Sequence, residues 1–336
     1  MSKNVHRAKT WAWRTVLGVT SFLFVAIAAG VLYQLTSLFH ERRSHPMPGR
    51  LVDVGGYRMH IDCIGQGSPT VVLDSGLGDS FISWQKVQPK IGQFVRVCSY
   101  DRAGMGYSEP SSHARTSLVF AEELHQLLHN AGVPPPYVLV GHSMAAYDIR
   151  LYASHFRDDV IGIVFIDGSH PDQLQRFPPA LDAMNSKWIR QGFLLEFATP
   201  IGISRLLGYC GSDPALRAAE CTFNDARENA EERMTFRESA ALAKDATIGP
   251  DIALIAVSHD PNLRDSELPV DMDEATNAAW ERMQIELSQL SAHGSRVIAA
   301  GSGHYIQNDR PDVVIQAVHE IVGRVRQESM RQPRRI

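Results

Sequence analysis

Residues 137–146 read Tyr-Val-Leu-Val-Gly-His-Ser-Met-Ala-Ala, and the interpretation of the whole chain starts from them. The apolar run predicts a buried strand and the residues from Ala145 onward predict a helix, so Ser143 lies in the turn between them. A serine on such a tight turn has an exposed hydroxyl and a crowded backbone, which leaves room only for small residues two positions away. Gly141 and Ala145 meet this limit, although Ala145 departs from a strict G-x-S-x-G pattern. The stretch therefore predicts a nucleophilic serine on a strand–turn–helix elbow.

Three further blocks accompany the elbow, each after or beside a predicted strand. They are residues 73–78 (Leu-Asp-Ser-Gly-Leu-Gly), 99–108 (Ser-Tyr-Asp-Arg-Ala-Gly-Met-Gly-Tyr-Ser) and 300–307 (Ala-Gly-Ser-Gly-His-Tyr-Ile-Gln). In this order the four blocks resemble the α/β-hydrolase superfamily, in particular its serine esterases, over about residues 50–325. The resemblance implies an α/β-hydrolase fold with a mostly parallel, eight-stranded sheet flanked by helices. It is specific for the fold and much less specific for the substrate.

Short apolar runs that alternate with helical patterns also predict a mostly parallel sheet with crossover helices. The predicted strands are Leu51–Val54, Tyr57–Ile64, Thr70–Asp74, Val95–Tyr100, Tyr137–Val140, Ile161–Ile166, Ile252–Val257 and Arg296–Ala300. The main predicted helices are Thr116–Ala131, Ala145–His155, Asp273–Leu290 and Pro311–Arg326. No strand pattern occurs between residues 171 and 250. We therefore expect a helical cap at 171–250, inserted into a core made of 51–170 and 251–326.

A serine hydroxyl becomes a nucleophile when a neighbouring base takes its proton. In the implied fold, His304 lies over the elbow, because it sits in a glycine-rich loop after the last strand. His142 is adjacent to Ser143, but its side chain is expected to point away from the turn. The acid that orients His304 is either Asp167 or Asp260. Asp167 is preferred because it directly ends a strand and precedes a glycine, whereas Asp260 has the more usual location but precedes a proline.

Ester hydrolysis also requires backbone N–H donors for the oxyanion. The resemblance implies the amides of Met144, directly after the nucleophile, and of Leu77 in the 73–78 block. Ser75 stands where many relatives carry histidine, which weakens the exact assignment of this loop. Asp101 and Arg102 are interpreted as structural residues.

An uncharged segment, residues 15–40, precedes the core. Its stretch from Val16 to Tyr33 is almost wholly apolar, and about 18 to 20 such residues span a bilayer as a helix. A cleaved signal peptide is the alternative, since Ala26-Ile-Ala28 resembles a cleavage site, but the apolar run continues beyond it. We expect a retained signal anchor followed by a linker at 41–50.

Charge predicts the orientation of this anchor. Four basic residues and no acidic residue lie in 1–14, whereas Arg42 and Arg43 after the span are partly offset by Glu41. The positive-inside rule therefore places 1–14 in the cytoplasm and the catalytic domain outside it, in the periplasm or extracellular space. The arginine-rich residues 327–336 are expected to form a solvated basic tail.

Composition excludes several classes of protein. The 336 residues carry 33 basic and 37 acidic side chains, so no basic surface for nucleic acid is indicated. No CxxC pair suggests zinc or thioredoxin chemistry, the glycines of 73–78 lack a dinucleotide pattern, and neither a cofactor nor a metal is expected. Among the four cysteines, Cys210 and Cys221 are expected to pair in an oxidising compartment. Cys63 and Cys98 are expected to pack as free thiols, although their strands are neighbours in the implied fold.

The sequence favours a membrane-anchored serine hydrolase that cleaves small-molecule or lipid-like carboxylic esters through an acyl-enzyme. Acyl transfer to another acceptor, and a binding or sensor protein with negligible turnover, remain alternatives. Dehalogenases and epoxide hydrolases of the superfamily use an aspartate at the elbow, so Ser143 argues against both. The cap's apolar residues either line an acyl pocket or pack the cap on the core: Phe177, Met184, Trp188, Phe193, Leu194, Leu195, Phe197 and Leu206. Substrate identity and oligomeric state are not predicted.

Overall fold

The computed structural model describes residues 2–181, 194, 197–264 and 269–331, and it contains one eight-stranded sheet. The strands are β1 Arg50–Asp53, β2 Arg58–Ile64, β3 Thr70–Asp74, β4 Val97–Tyr100, β5 Tyr137–His142, β6 Val160–Ile166, β7 Ala253–His259 and β8 Gly294–Ala299. Their order is β1-β2-β4-β3-β5-β6-β7-β8. Strand β2 pairs antiparallel with β1 and with β4, and all other pairings are parallel. The predicted fold class is confirmed.

Helices cover both faces of this sheet. Their bounds are α1 Ser2–Ser44, α2 Gln88–Ile91, α3 Ser117–Asn130, α4 Ala145–His155, α5 Gln173–Arg176, α6 Ile203–Leu206, α7 Pro214–Glu220, α8 Phe223–Asp245, α9 Val270–Ser288, α10 Ile306–Asp309 and α11 Pro311–Arg331. Successive residues of β5 alternate between two buried apolar clusters, because the strand is covered on both faces. One cluster lies under α3, α4 and α8, and the other lies under α2 and α11. The continuous apolar run in the sequence thus reflects a central strand.

In the described part of 171–250, the chain forms the short helices α5 to α7 and the long helix α8, with turns between them. Phe177 stacks on Trp280 of α9, whereas Leu194, Phe197 and Leu206 are exposed. The other apolar residues singled out in the cap, Met184, Trp188, Phe193 and Leu195, lie outside the described residues. Helix α11 continues to Arg331, into the segment predicted as a tail.

Both pairs of cysteines form disulfides. The Cys210–Cys221 bridge confirms the expectation for the cap. The expectation of free thiols at Cys63 and Cys98 is wrong, because these residues are bonded to each other. They are direct partners in the antiparallel register of β2 and β4, with Cα atoms 4.0 Å apart. Residues directly opposite on such a pair bring their Cβ atoms close enough for a bridge.

Helix α1 is long and continuous. The segment Trp11–Ser44 has a mean hydropathy of 2.3 over its most apolar window, so its length and composition allow it to cross a membrane. Side chains from residue 11 to 29 are exposed, and among the described side chains from residue 11 onward the close approach to the rest of the chain begins at Gly30. It ends at Ser44, four residues into the predicted linker, and β1 begins at Arg50.

Candidate active site

Ser143 occupies the turn between β5 and α4 in a left-handed backbone conformation, with φ of 55°. Such a conformation costs energy for a residue with a Cβ and persists only where the surroundings hold it. The Ser143 amide donates to the carbonyl of Ile166 (3.1 Å), and its carbonyl accepts from the Ser169 amide (2.9 Å). A Cβ at Gly141 would lie 2.9 Å from the Ala145 carbonyl oxygen. The small residue predicted there is therefore a steric requirement of the turn.

The structure brings Ser143, His304 and Asp167 into one hydrogen-bonded relay. His304 Nε2 lies 3.0 Å from Ser143 Oγ, and His304 Nδ1 lies 2.6 Å from Asp167 Oδ2. Each residue follows the carboxyl end of a parallel strand, β5, β8 and β6 respectively, so the sheet presents all three at one edge. This arrangement can transfer the serine proton to an imidazole whose other nitrogen is oriented by a carboxylate.

Asp167 is completely buried and has more than one donor. Besides His304, its carboxylate accepts from the amide and Nδ1 of His259 (3.0 and 2.9 Å) and from Nε1 of Trp280 (2.9 Å). Burial by itself would raise the pKa of Asp167, but the hydrogen bonds and charges of His259 and His304 outweigh it. The net pKa lies far below its usual range, so the carboxylate stays ionised.

Asp260 lies elsewhere. Its side chain is partly exposed and accepts from the amides of Gly301 (2.8 Å) and Asn262 (2.9 Å). These bonds join the loop after β7 to the loop that carries His304, while the acid itself does not bond the imidazole. The geometry therefore favours Asp167 over Asp260 as the partner of His304.

The expected oxyanion donors lie directly before α4 and in the loop after β3. Met144 is buried directly before α4, and Leu77 lies in the loop after β3. Within the described residues, no acceptor takes the amide N–H of Met144 or of Leu77. Free amide donors at the start of a helix and in a glycine-bounded turn suit a developing negative charge. Their role remains a prediction.

Arg102 holds the loop that contains Leu77. Its guanidinium donates to the carbonyls of Ser75 (2.6 Å) and Gly76 (2.7 Å) and pairs with Asp74 (3.2 Å). Glu232 of the cap helix α8 also binds Arg102 (2.6 Å), and it accepts from the amide of Gly78 (2.9 Å). The loop is thus fixed on both sides by a buried ion pair between core and cap.

His142 is buried beneath His304 without a hydrogen bond to Ser143 in the described structure. Its Nε2 lies 3.1 Å from the backbone carbonyl of His304, and its Nδ1 lies 3.8 Å from Asp79 Oδ2. Burial lowers the pKa of His142, and the nearby His304 contributes in the same direction. A neutral His142 that donates to this carbonyl supports the loop carrying the base.

Sequence reasoning missed three residues that contact this constellation. His259 ends β7 next to Asp260, and its position at a strand end was a usable signal. Trp280 and Glu232 lie within long helices, where no local pattern marks them as partners of Asp167 and Arg102. Within the described residues, no three His, Cys, Asp or Glu side chains converge as a metal site requires.

Comparisons with known proteins agree with this fold. The model of a family described as "Alpha/beta hydrolase family" matches residues 71–317. YbdG of Bacillus subtilis (strain 168), an uncharacterized protein, is 28% identical over 204 residues, which is 58% of this chain and 61% of that protein. The first four curated relatives are matched over only 20% to 64% of their own length.

Solved structures show the same fold at low identity. A thermophilic esterase from Thermogutta terrifontis superposes with a TM-score of 0.55 at 17% identity, covering 82% of this chain and 98% of that one. The epoxide hydrolase CorEH gives a TM-score of 0.59 at 19% identity, again with 82% and 98% coverage. Because these two proteins bear names of different chemistries, the likeness alone does not choose between them.

Proposed function

The chain belongs to the alpha/beta hydrolase family, and on that premise we propose that it cleaves carboxylic esters with Ser143 as nucleophile, anchored in a membrane by α1. The observation that carries the proposal is the relay from Ser143 Oγ through His304 to Asp167. Water is the proposed acceptor of the acyl group.

The proposed reaction has two halves. Ser143 Oγ attacks the ester carbonyl carbon while its proton passes to His304 Nε2, and the amides of Met144 and Leu77 donate to the resulting oxyanion. When the C–O bond breaks, the alcohol leaves with the proton from His304 and the acyl group stays on Ser143. A water molecule then attacks the acyl carbon and gives its proton to His304. Breaking of the acyl–Oγ bond releases the carboxylic acid and restores Ser143.

The choice of serine distinguishes ester cleavage from the other chemistries of the family. Displacement of a halide or opening of an epoxide by Ser143 would leave an ether on the enzyme. An ether lacks a carbonyl that water could attack, so turnover would stop after one cycle. With an acyl group the same serine forms an ester, which the second half of the reaction can hydrolyse.

Membrane anchoring is the second part of the proposal. The apolar part of α1 contacts no other described segment before Gly30, and an isolated apolar helix of this length is stable in a bilayer rather than in water. With the basic residues of 1–14 on the cytoplasmic side, the catalytic domain lies on the opposite side.

A fluorophosphonate probe and a p-nitrophenyl ester series test the catalytic part. We expect rapid stoichiometric labelling of wild type, and a loss of roughly 10⁴-fold or more in kcat for Ser143→Ala and for His304→Ala. The matched controls Ser329→Ala and His319→Ala, both at exposed positions on α11, should keep normal activity. Near-normal hydrolysis by either active-site variant contradicts the assignment, and absence of labelling in the folded wild type supports a binding role instead.

A further inference from the structure

The cap is docked on the carboxyl-terminal third of α1. A Cβ at Gly30 would clash with the carbonyl oxygen of Ile201, and one at Gly202 would lie 2.9 Å from the ring of Tyr33. Gln34, nearly buried, donates to the carbonyl of Cys221 (2.7 Å). The close approach of two glycines and a buried amide show a specific helix-to-cap interface at the end of the apolar stretch.

Ion pairs continue this interface along α1. Glu41 accepts from Arg205 (2.6 Å) and from Arg217 (2.6 Å), and Arg42 donates to the carbonyl of Ala218 (3.0 Å). Helix α1 therefore meets the cap from Gly30 to Arg42, first through small and apolar residues and then through charged ones. This sequence of contacts matches the change from hydrocarbon to headgroups at the surface of a membrane.

Large apolar side chains are exposed on the same segment of the cap. Phe197, Leu206, Leu207 and Tyr209 are between 65% and 70% exposed, and Ile203 is 40% exposed. These five residues, here called the cap patch, lie within eight residues in sequence of Ile201 and Gly202, which touch α1. A group of large apolar residues this exposed marks an interaction surface rather than a water-facing one.

The depth of α1 in a bilayer indicates what covers the cap patch. The apolar stretch of 18 residues from Val16 to Tyr33 is about 27 Å long as a helix, close to the roughly 30 Å of a hydrocarbon core. Gly30 and Tyr33 consequently lie at the edge of that core. Ile201 and Gly202 touch these two residues, which brings the cap segment that carries the patch to the level of this edge.

The candidate active site is close to this edge. Glu220 accepts from the amide and hydroxyl of Ser80 (3.2 and 2.6 Å), and the next residue, Cys221, binds Gln34 of α1. The Ser80 carbonyl accepts from Ser75 Oγ (2.8 Å), within the loop that carries Leu77. Two consecutive cap residues therefore link the two regions: Glu220 binds Ser80 in the loop that carries Leu77, and Cys221 binds Gln34 of α1.

We infer that the cap patch inserts into the leaflet at the carboxyl-terminal end of α1, and that the substrate is an ester whose acyl chain is dissolved in that leaflet. Insertion rests on the proposed anchoring of α1 in a membrane. The substrate class rests in addition on the proposed ester hydrolysis.

Insertion is tested with the full-length protein in phosphatidylcholine vesicles. Because all four cysteines are paired, a single introduced cysteine can carry an environment-sensitive fluorophore. Leu206→Cys is compared with Ile298→Cys, an exposed apolar position on the edge strand β8. We expect phosphatidylcholine spin-labelled near its headgroup to quench the label at 206 several-fold more than the label at 298.

Two results would overturn insertion. Equal, weak quenching at both positions would place the cap patch in water. A label at 206 that is shielded from water yet not quenched by spin-labelled lipid would assign the patch to contact with a second copy of the chain.

The substrate class is tested separately by the double variant Leu206→Glu/Leu207→Glu. We expect kcat/KM for p-nitrophenyl palmitate in vesicles to fall roughly tenfold, because charged residues oppose insertion, while hydrolysis of aqueous p-nitrophenyl acetate is unchanged. Equal activity of wild type and variant on the vesicle-borne ester would refute the substrate class. Inactivity of the wild type on both esters would instead refute the proposed ester hydrolysis and leave the quenching result valid.

Discussion

Asp167 after β6 and Asp74 at the end of β3 are both fully buried carboxyl groups at the same edge of the sheet, yet their surroundings act on them in opposite directions. Asp167 receives hydrogen bonds from His259, Trp280 and His304, and its pKa falls far below the usual range despite burial. Burial raises the pKa of Asp74 to about 6, and the attraction of Arg102 offsets this only in part. The difference is in the number of donors available to each acid.

This contrast separates two tasks. Asp167 accepts hydrogen bonds from several donors besides His304, so it remains a carboxylate that can stabilise a protonated His304. Around Asp74, the acids Asp148 and Glu232 share the single guanidinium of Arg102, and burial also raises the pKa of Asp148 well above its usual range. The first region suits charge development during a reaction, and the second holds the Leu77 loop in place.

The largest expected effect tests the first region. Asp167→Asn should lower kcat for ester hydrolysis roughly 10⁴-fold, because an amide favours the wrong tautomer of His304. Asp260→Asn is the matched control at the end of the neighbouring strand and should keep kcat within about twofold, since its side chain only bonds the loop amides. If Asp167→Asn keeps more than about a tenth of the activity while Asp260→Asn loses it, the two acids have been assigned in reverse.

The second region should respond mainly in stability. Glu232→Gln removes the closest charge partner of buried Arg102 and should lower the free energy of unfolding by about 3 kcal/mol. Because Glu232 also binds the amide of Gly78, a loss of roughly tenfold in kcat should accompany it. Chemical denaturation and esterase assays measure the two effects.

A neighbouring glutamate provides the control for this change. Glu231, next to Glu232 on α8, forms a partly exposed ion pair with Arg227 one turn earlier. Glu231→Gln removes this pair and should change the free energy of unfolding by less than about 0.5 kcal/mol. Equal effects of the two substitutions would mean that the buried ion pair does not hold the loop.

The smallest expected effect is on the pH dependence of the free energy of unfolding, to which Asp167 and Asp74 should contribute with opposite signs. The lowered pKa of Asp167 contributes stability that is present above the pKa of an unfolded aspartate, about 3.9, and is lost as the pH falls. The raised pKa of Asp74 contributes stability that is present below about 3.9 and is lost as the pH rises through about 6.

The sign is measured by comparing the free energy of unfolding of wild type with that of Asp167→Asn and of Asp74→Asn as a function of pH. The advantage of wild type over Asp167→Asn should grow between about pH 3 and 5, and its advantage over Asp74→Asn should shrink between about pH 4 and 7. Each slope should not exceed about 1.4 kcal/mol per pH unit. Slopes of the same sign would contradict the contrast between the two regions.

Most of the features that could be predicted from the sequence are the strands themselves and the residues that follow them. Each strand was predicted to within about two residues of its observed ends. For β3, β5, β6 and β7 the reason is that a sheet covered on both faces leaves uninterrupted apolar runs. Ser143 and Asp167 could be nominated because each directly follows a strand, and His304 could be nominated because it lies in the glycine-rich loop after β8. Local signals are sufficient wherever a functional side chain is carried by the end of a buried strand.

Contacts between distant segments had no such signal. Glu232 reaches Arg102 across 130 residues, and Trp280 reaches Asp167 across 113. The Cys63–Cys98 bridge depends on the exact register of β2 against β4, which apolar patterning does not encode. Side chains on helices were therefore not singled out, although Trp280 and Glu232 bind Asp167 and Arg102.

The unbroken course of α1 limits how this domain can move. Only residues 45–49 separate its end at Ser44 from β1, and Glu41 and Gln34 fasten the helix to the cap. Once α1 lies in a bilayer, this short connection and these contacts prevent the domain from rotating toward solutes or toward an opposing membrane. For the ester substrate proposed above, dissolved in the same leaflet, encounters would then occur by lateral diffusion. The reaction rate would follow the surface mole fraction of the ester, and added inert lipid would slow turnover by dilution in two dimensions.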